Sequence, residues 1–198
     1  MVAAARVAVG RPLDREGVGA PATAGPAEHT GGSALVAQGT RAVEVVRRAG
    51  ISYTLHTYAH DARATQARGG QGYALEAATA LGLDPARVFK TLVAAVDGRL
   101  VVAVVPAAGE LDLKGLADAV GGRKAAMADP VEAERATGYV LGGISPLGLR
   151  RPLRVVLDAS ALDRPTIHVS AGQRGLELEL APSDLARTTG ATVAPISR

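Results

Sequence analysis

Apolar and polar positions alternate along most of the chain with two distinct periods, and these periods predict its elements. Thr40 precedes apolar residues at 42, 45, 46 and 49, one face of a helix that Gly50 closes. Residues 53–58 read as a strand, 61–72 as a polar loop containing glycine, and 73–81 as a helix stopped by Gly82. Asp84-Pro85 predicts a capped helical turn. Residues 88–96 and 100–105 flank Asp97-Gly98, which is hairpin-turn chemistry. The second of these runs is apolar on both faces, as an interior strand requires. Asp112 caps a helix whose Leu113, Leu116, Ala117 and Val120 share a face, with Gly121-Gly122 as its stop. Asp129-Pro130 opens another helix, with Glu132 placed for a capping box. Residues 139–148 form a glycine-rich loop. Strands follow at 153–158, 166–170 and 176–181, the last two joined through residues 172–175, and Ser183 is expected to cap a final short helix.

Helices and hairpins are interspersed without regular strand–helix–strand alternation. The predicted class is α+β: a mixed, mostly antiparallel sheet forming a partial barrel with helices packed outside. Residues 1–38 are rich in Ala, Gly and Pro, lack sustained periodicity and read as a disordered extension, leaving 39–198 as one domain.

Composition narrows the chemistry. Of 198 residues, 47% are hydrophobic, enough for a sizeable core. No apolar run approaches the roughly 20 residues of a membrane span, and the N-terminus shows no convincing signal peptide, so a soluble cytoplasmic protein is expected. The absence of cysteine excludes disulfides, a thiolate nucleophile and cysteine-bound zinc. The net charge is only +3, with basic clusters at Arg123-Lys124 and at Arg150, Arg151 and Arg154. Such clusters are either solvated faces or a nucleic-acid surface.

Among candidate functional residues, Lys90 stands out because it interrupts an apolar strand, with Phe89 and Thr91 on the opposite face. It is either an edge lysine reaching water or an ammonium lining a pocket, where it would hold a carbonyl or phosphate oxygen. In the loop Gly142-Gly143-Ile144-Ser145-Pro146-Leu147-Gly148, adjacent glycines let backbone amides approach a ligand. It is not a nucleophile elbow, because Leu147 stands where the second glycine belongs and Pro146 lacks the N–H an oxyanion hole needs. His56 and His60, beside Asp61, lie in a strand-like stretch without a third ligand at suitable spacing, so no metal is expected. His168 reads as a hydrogen-bonded strand histidine. Tyr58, Arg174 and Glu177 acquire meaning only if folding brings them near Lys90. No phosphate-binding or dinucleotide motif implies a cofactor.

Five segments together resemble a known family: His-Thr-Tyr-Ala-His-Asp at 56–61, Val-Phe-Lys-Thr-Leu at 88–92, Met-Ala-Asp-Pro at 127–130, the run 137–148, and Gln-Arg-Gly-Leu-Glu-Leu-Glu-Leu-Ala at 173–181. In order and interval, from about Thr40 to Ile196, they are similar to the bacterial Cys-tRNA(Pro) deacylases, the YbaK family. The resemblance implies a mixed barrel-like fold and an aminoacyl-tRNA editing activity on mischarged tRNA, acting beside prolyl-tRNA synthetase. It implies Lys90 as the signature residue, with Tyr58, Gly142 and Glu177 lining the pocket; Gly143, Ser145 and Arg174 complete the candidate substrate-binding set. It also implies that the substrate cysteine's own thiol attacks the ester, without metal or protein nucleophile. The sequence departs from the family in two places. Glu177 stands where Asp is frequent, and Ala171-Gly172-Gln173-Arg174-Gly175 stands where Gly-Gly-Lys-Arg-Gly is common. The alternatives are a related editing domain for another small amino acid such as alanine, a noncatalytic module binding tRNA or a synthetase, and a metal-dependent hydrolase.

Overall fold

The computed structural model describes residues 5–7, 39–60 and 72–198. The predicted 61–72 loop lies outside the described residues except for Gly72, and so does the N-terminal extension except for 5–7. There β1 (Ala5–Val7) pairs antiparallel with the next strand.

After α1 (Arg41–Arg48) and β2 (Tyr53–Thr57) come α2 (Tyr73–Leu81), β3 (Val88–Val96), β4 (Arg99–Pro106) and α3 (Leu113–Ala119). Then follow β5 (Ala125–Met127), α4 (Pro130–Thr137), β6 (Arg154–Asp158), β7 (Ile167–Gln173), β8 (Leu176–Leu180), α5 (Pro182–Thr189) and β9 (Thr192–Ala194). The predicted caps at Thr40, Asp112 and Asp129 are in place, each side chain accepting from an N–H of the first turn. The hairpin turn is also as expected, with Asp97 at φ 47° and Gly98 at φ 79°. Ser183 is not a cap: α5 starts one residue earlier, with Ala181 as its N-cap and Pro182 in its first turn. Proline's fixed φ starts the helix there without a side-chain bond.

The strands form one sheet in the order β1-β2-β8-β7-β3-β4-β6-β9, with β5 also on β3. Antiparallel pairing predominates, while β3–β7, β4–β6 and β6–β9 are parallel. The result is a curled, mixed half-barrel of the α+β class with helices on both faces.

One face carries the larger core: Leu55, Phe89, Val102, Val104, Leu157, Val169, Leu176, Leu178 and Leu180, closed by Ala42, Val43 and Val46 of α1 and Leu185 of α5. On the other face Ala94, Val96, Val101, Ala103 and Val105 pack under Leu116 and Ala117 of α3. Ala77 and Ala78 of α2 cover Val88 and Ala107 on that same face.

The sheet is splayed at β3. That strand meets β7 only through Val88 and Phe89, and β5 only through Ala94 to Val96. Between these contacts Lys90 to Val93 have no strand partner on that edge among the described residues. Tyr139 and Ile144 of the glycine-rich loop pack there against Val93 and Ala133. The loop is thus anchored by these two side chains beside the open edge of β3.

Candidate functional site at the splay of the sheet

Strand register decides which side chains share the splayed region. His168 lies opposite both Val88 and Glu179, and Glu177 lies opposite both His56 and Ser170. By alternation Lys90 shares the face of Val88, and therefore the face of His56, Ser170 and Glu177. It lies between the patch covered by α2 and the patch covered by α3.

The Lys90 amine is half-buried and donates to two backbone carbonyls, Gly109 at 2.6 Å and Ala107 at 3.3 Å. Burial lowers its pKa, and the Glu110 carboxylate partly offsets this. An ammonium has three N–H donors. Two are committed to fixed carbonyls of the turn after β4, which sets the direction of the third.

Glu177 is buried, with 6% of its surface exposed, and its Oε2 has no hydrogen-bond partner. Burial pushes its pKa up to about 8, so at neutral pH the carboxyl is largely protonated and can donate a hydrogen bond. Tyr58, just past the end of β2, is tied to the β7–β8 turn by its N–H, which donates to the Gly175 carbonyl at 2.9 Å. Burial raises the Tyr58 phenol far above its ordinary range, and the carboxylates of Glu177 and Glu76, both ionised at the high pH where a phenol titrates, raise it further. Its hydroxyl therefore stays protonated across the physiological range.

The glycine loop packs against α2 and the β7–β8 turn. Gly142 has φ +79°, and a Cβ there would lie 2.5 Å from Cε1 of Tyr73. At Gly143 a Cβ would lie 3.1 Å from the Arg174 nitrogen and 3.2 Å from Gln173. At 142 only glycine fits this close to α2, and at 143 a side chain would press on the β7–β8 turn. Arg174 bridges the same elements: its Nε donates to the Leu141 carbonyl at 2.9 Å and its guanidinium lies 5.2 Å from the Tyr73 ring centre.

The fold thus gathers Tyr58, Gly142, Gly143, Arg174 and Glu177 around α2 and the β7–β8 turn, with Lys90 on the same sheet face. Ser145 stands apart. It is fully buried, and its Oγ accepts from the Leu147 N–H at 3.3 Å, which shapes the loop from inside. The sequence reading missed Tyr73 and Glu76. Tyr73 is the shared contact of Gly142 and Arg174, and its ring centre is 5.6 Å from that of His60. Glu76 pairs with His60 Nδ1 at 3.0 Å. Their spacing puts both on one helix face, but nothing local says what that face meets.

One group of possible metal donors exists among the described residues: His56, His168 and Glu179, with ligand atoms within 4.8 Å of one another. His60 is not part of it. Glu179 is already engaged, Oε2 with His56 at 2.8 Å and Oε1 with Thr166 at 2.8 Å and Arg87 at 3.2 Å. A guanidinium beside the carboxylate opposes a cation, so this cluster reads as a buried hydrogen-bonded network.

Residues 72–188 match the family model described as the aminoacyl-tRNA editing domain. This chain belongs to that family. Lys90, Gly142, Gly143, Ser145, Arg174 and Glu177 fall inside the matched span, and Tyr58 precedes it. An Enterococcus faecalis protein named "Putative Cys-tRNA(Pro)/Cys-tRNA(Cys) deacylase EbsC" is 42% identical over 122 residues, 61% of this chain and 74% of that one. The "Multifunctional Ser/Thr-tRNA deacylase ProXp-y" of Escherichia coli is 33% identical over 103 residues, 50% of this chain and 62% of that one. Among solved structures, one described as a "putative trans-editing enzyme for prolyl tRNA synthetase" superposes with a TM-score of 0.59 at 31% identity, covering 63% of this chain and 79% of that one. The half-barrel is thus the fold of an editing domain. No helix among the described residues is long and apolar enough to cross a membrane.

Proposed function

We propose that the protein is a trans-editing deacylase that clears mischarged Cys-tRNA(Pro), working beside prolyl-tRNA synthetase in the cytoplasm. The observation that carries this is the Lys90 amine, oriented by two backbone carbonyls on the sheet face that also bears Glu177. The similarity to the Enterococcus faecalis protein supports cysteine as the amino acid. The need for such an activity is physical: cysteine and proline are alike in bulk, and a binding pocket discriminates poorly between side chains that differ so little.

In the proposed reaction the substrate's thiol sulfur attacks its own ester carbonyl. The new C–S bond closes a cyclic thioester, the C–O bond to the terminal ribose breaks, and the thiol proton ends on the released ribose oxygen. The protein contributes geometry and charge. Well-oriented intramolecular attack supplies up to about 7–11 kcal/mol of barrier reduction. Lys90, through its third N–H, polarises the ester or holds the terminal adenosine. The backbone near Gly142 and Gly143 borders the developing oxyanion. Glu177, protonated at neutral pH, and Tyr58 are hydrogen-bond donors that hold the aminoacyl group. Ser145 supports the loop from within.

A second reading rests on the Escherichia coli relative, whose name assigns it other amino acids. In that case a water attacks and the substrate is a different small amino acid, such as alanine. Parallel deacylation assays on Cys-tRNA(Pro), Ala-tRNA(Pro) and a Cys-tRNA(Pro) whose sulfur is methylated separate the two. Loss of the first substrate alone supports thiol attack. Equal loss of the methylated substrate removes that mechanism and leaves hydrolysis by water.

A further inference from the structure

The basic clusters of the sequence take a definite place in the fold. At the end of the β3–β4 hairpin a cleft of about 720 Å³ is lined by Asp97, Arg99, Gly121, Gly122, Arg151 and Arg154, among others. The side chains of Arg99, Arg151 and Arg154 are exposed on its walls. Arg123 and Lys124 flank it, because their backbone N–H groups donate to the Asp97 carboxylate at 2.9 and 3.1 Å. The walls also carry Glu132. Three exposed arginines thus outnumber the two carboxylates of the lining, Asp97 and Glu132, of which Asp97 is already engaged by the backbone amides of Arg123 and Lys124.

The cleft has a fixed relation to that site. Strand β3 runs from Lys90 to Val96 on the cleft wall. Six residues at roughly 3.3 Å each separate the two by about 20 Å. The cleft floor is also held in shape: a Cβ on Gly122 would overlap Val96, and the Arg154 guanidinium is braced by donating to the Val120 carbonyl at 2.8 Å. It is an open, cationic groove one strand-length from Lys90.

We infer that this cleft is a second contact for tRNA, holding backbone phosphates of the acceptor stem while the aminoacylated 3′ end reaches the splay of the sheet. The inference rests on the editing reading for the direction of the RNA. The surface itself is argued from charge and shape. Arginine suits the role because its planar fork matches phosphate oxygens. Phosphate contacts position the RNA without reading its sequence, so the cleft supplies affinity and register, and identity is read elsewhere.

The test compares the full-length protein with a triple variant, Arg99→Gln, Arg151→Gln and Arg154→Gln. A control variant carries Arg48→Gln and Arg187→Gln, two exposed arginines outside the cleft. Binding of uncharged tRNA is measured between 50 and 200 mM salt, alongside binding of the trinucleotide CCA. The triple variant is expected to bind tRNA more weakly, with the slope of log K against log salt reduced by roughly 2–3. The control is expected to change that slope by less than 1, and CCA binding is expected to be unchanged in both. Equal slopes for the triple and control variants overturn the inference, and so does an equal loss on CCA. Because uncharged tRNA is the probe, a protein that deacylates nothing yet shows the slope change sinks the editing reading and keeps the cleft. An active enzyme with unchanged slopes does the reverse.

Discussion

Replacing Gly142 by alanine tests whether the loop, α2 and the β7–β8 turn form one preorganised unit. Gly142 sits at φ +79°, where a Cβ costs roughly 1–2 kcal/mol through the backbone alone. The new methyl would also lie 2.5–2.6 Å from three atoms of the Tyr73 ring. Carbon atoms are comfortable at about 3.5–4.0 Å, so ring or loop must yield by about 1 Å. Overpacking of that kind costs a further 1–3 kcal/mol or so. Gly50 and Gly190 have φ +63° and nothing within 4 Å of a Cβ, so alanine there incurs the backbone cost alone. In denaturant melts Gly142→Ala should therefore lose roughly 1–3 kcal/mol more than either control, and adding Tyr73→Ala should recover part of that excess. Tyr73 also carries the Arg174 guanidinium and packs near His60, so its displacement opens the loop. A shift of about 1 Å at a positioning group can cost about a hundredfold in rate. Deacylation by Gly142→Ala should fall by about that factor while Gly50→Ala and Gly190→Ala stay near wild type. If Gly142→Ala deacylates within twofold of those controls, the loop is not part of the catalytic geometry.

Three further outcomes follow from the same geometry. Lys90→Ala should lower deacylation by at least the roughly hundred- to thousandfold that loss of one oxyanion donor costs, with a cooperative melt retained; circular dichroism and the tRNA assay check both. Glu177 has a pKa raised by burial from 4.5 to about 8, so the folded state holds a proton that the unfolded chain releases. Its stabilising contribution is fully present below about 4.5, declines as pH rises from there to about 8, and is gone above it. Glu177→Gln should abolish that slope and become the more stable protein at pH 9 by a few kcal/mol, whereas parallel stability curves for the two proteins count against a buried neutral carboxyl. Arg174→Ala removes the bond to the Leu141 carbonyl and the contact with Tyr73, both at an exposed guanidinium. Stability should fall by about 1 kcal/mol or less, and steady-state kinetics should show KM rising more than kcat falls.

How much of this was legible in the sequence depended on how local each signal is. The hairpin at Asp97-Gly98 and the caps at Thr40, Asp112 and Asp129 were readable because a few neighbouring residues determine them. Strands β5 and β9 were not. Each has three residues and exists because β3 or β6 offers an edge, which no short-range pattern announces. The parallel pairings of β3 with β7 and β4 with β6 were hidden for the same reason. Ser183 was a sound expectation, overridden because Pro182 starts the helix one residue earlier. Within the site, a lysine in an apolar strand is conspicuous anywhere, so Lys90 stood out. Tyr73 looked like an ordinary helix residue until Gly142 and Arg174, about 70 and 100 positions later, were placed against it. The protonated state of Glu177 was equally invisible, because it follows from burial beneath elements that come together only in the folded protein.

Single-turnover deacylation of preformed Cys-tRNA(Pro), with excess purified protein and no added metal, measures the central claim directly. The wild-type protein should release free tRNA within the mixing experiment, and Lys90→Met, which keeps the stem and removes the charge, should leave the ester intact on the same timescale. Equal release by both proteins, or none by the wild type, would contradict the assignment of this half-barrel as an editing site built on Lys90.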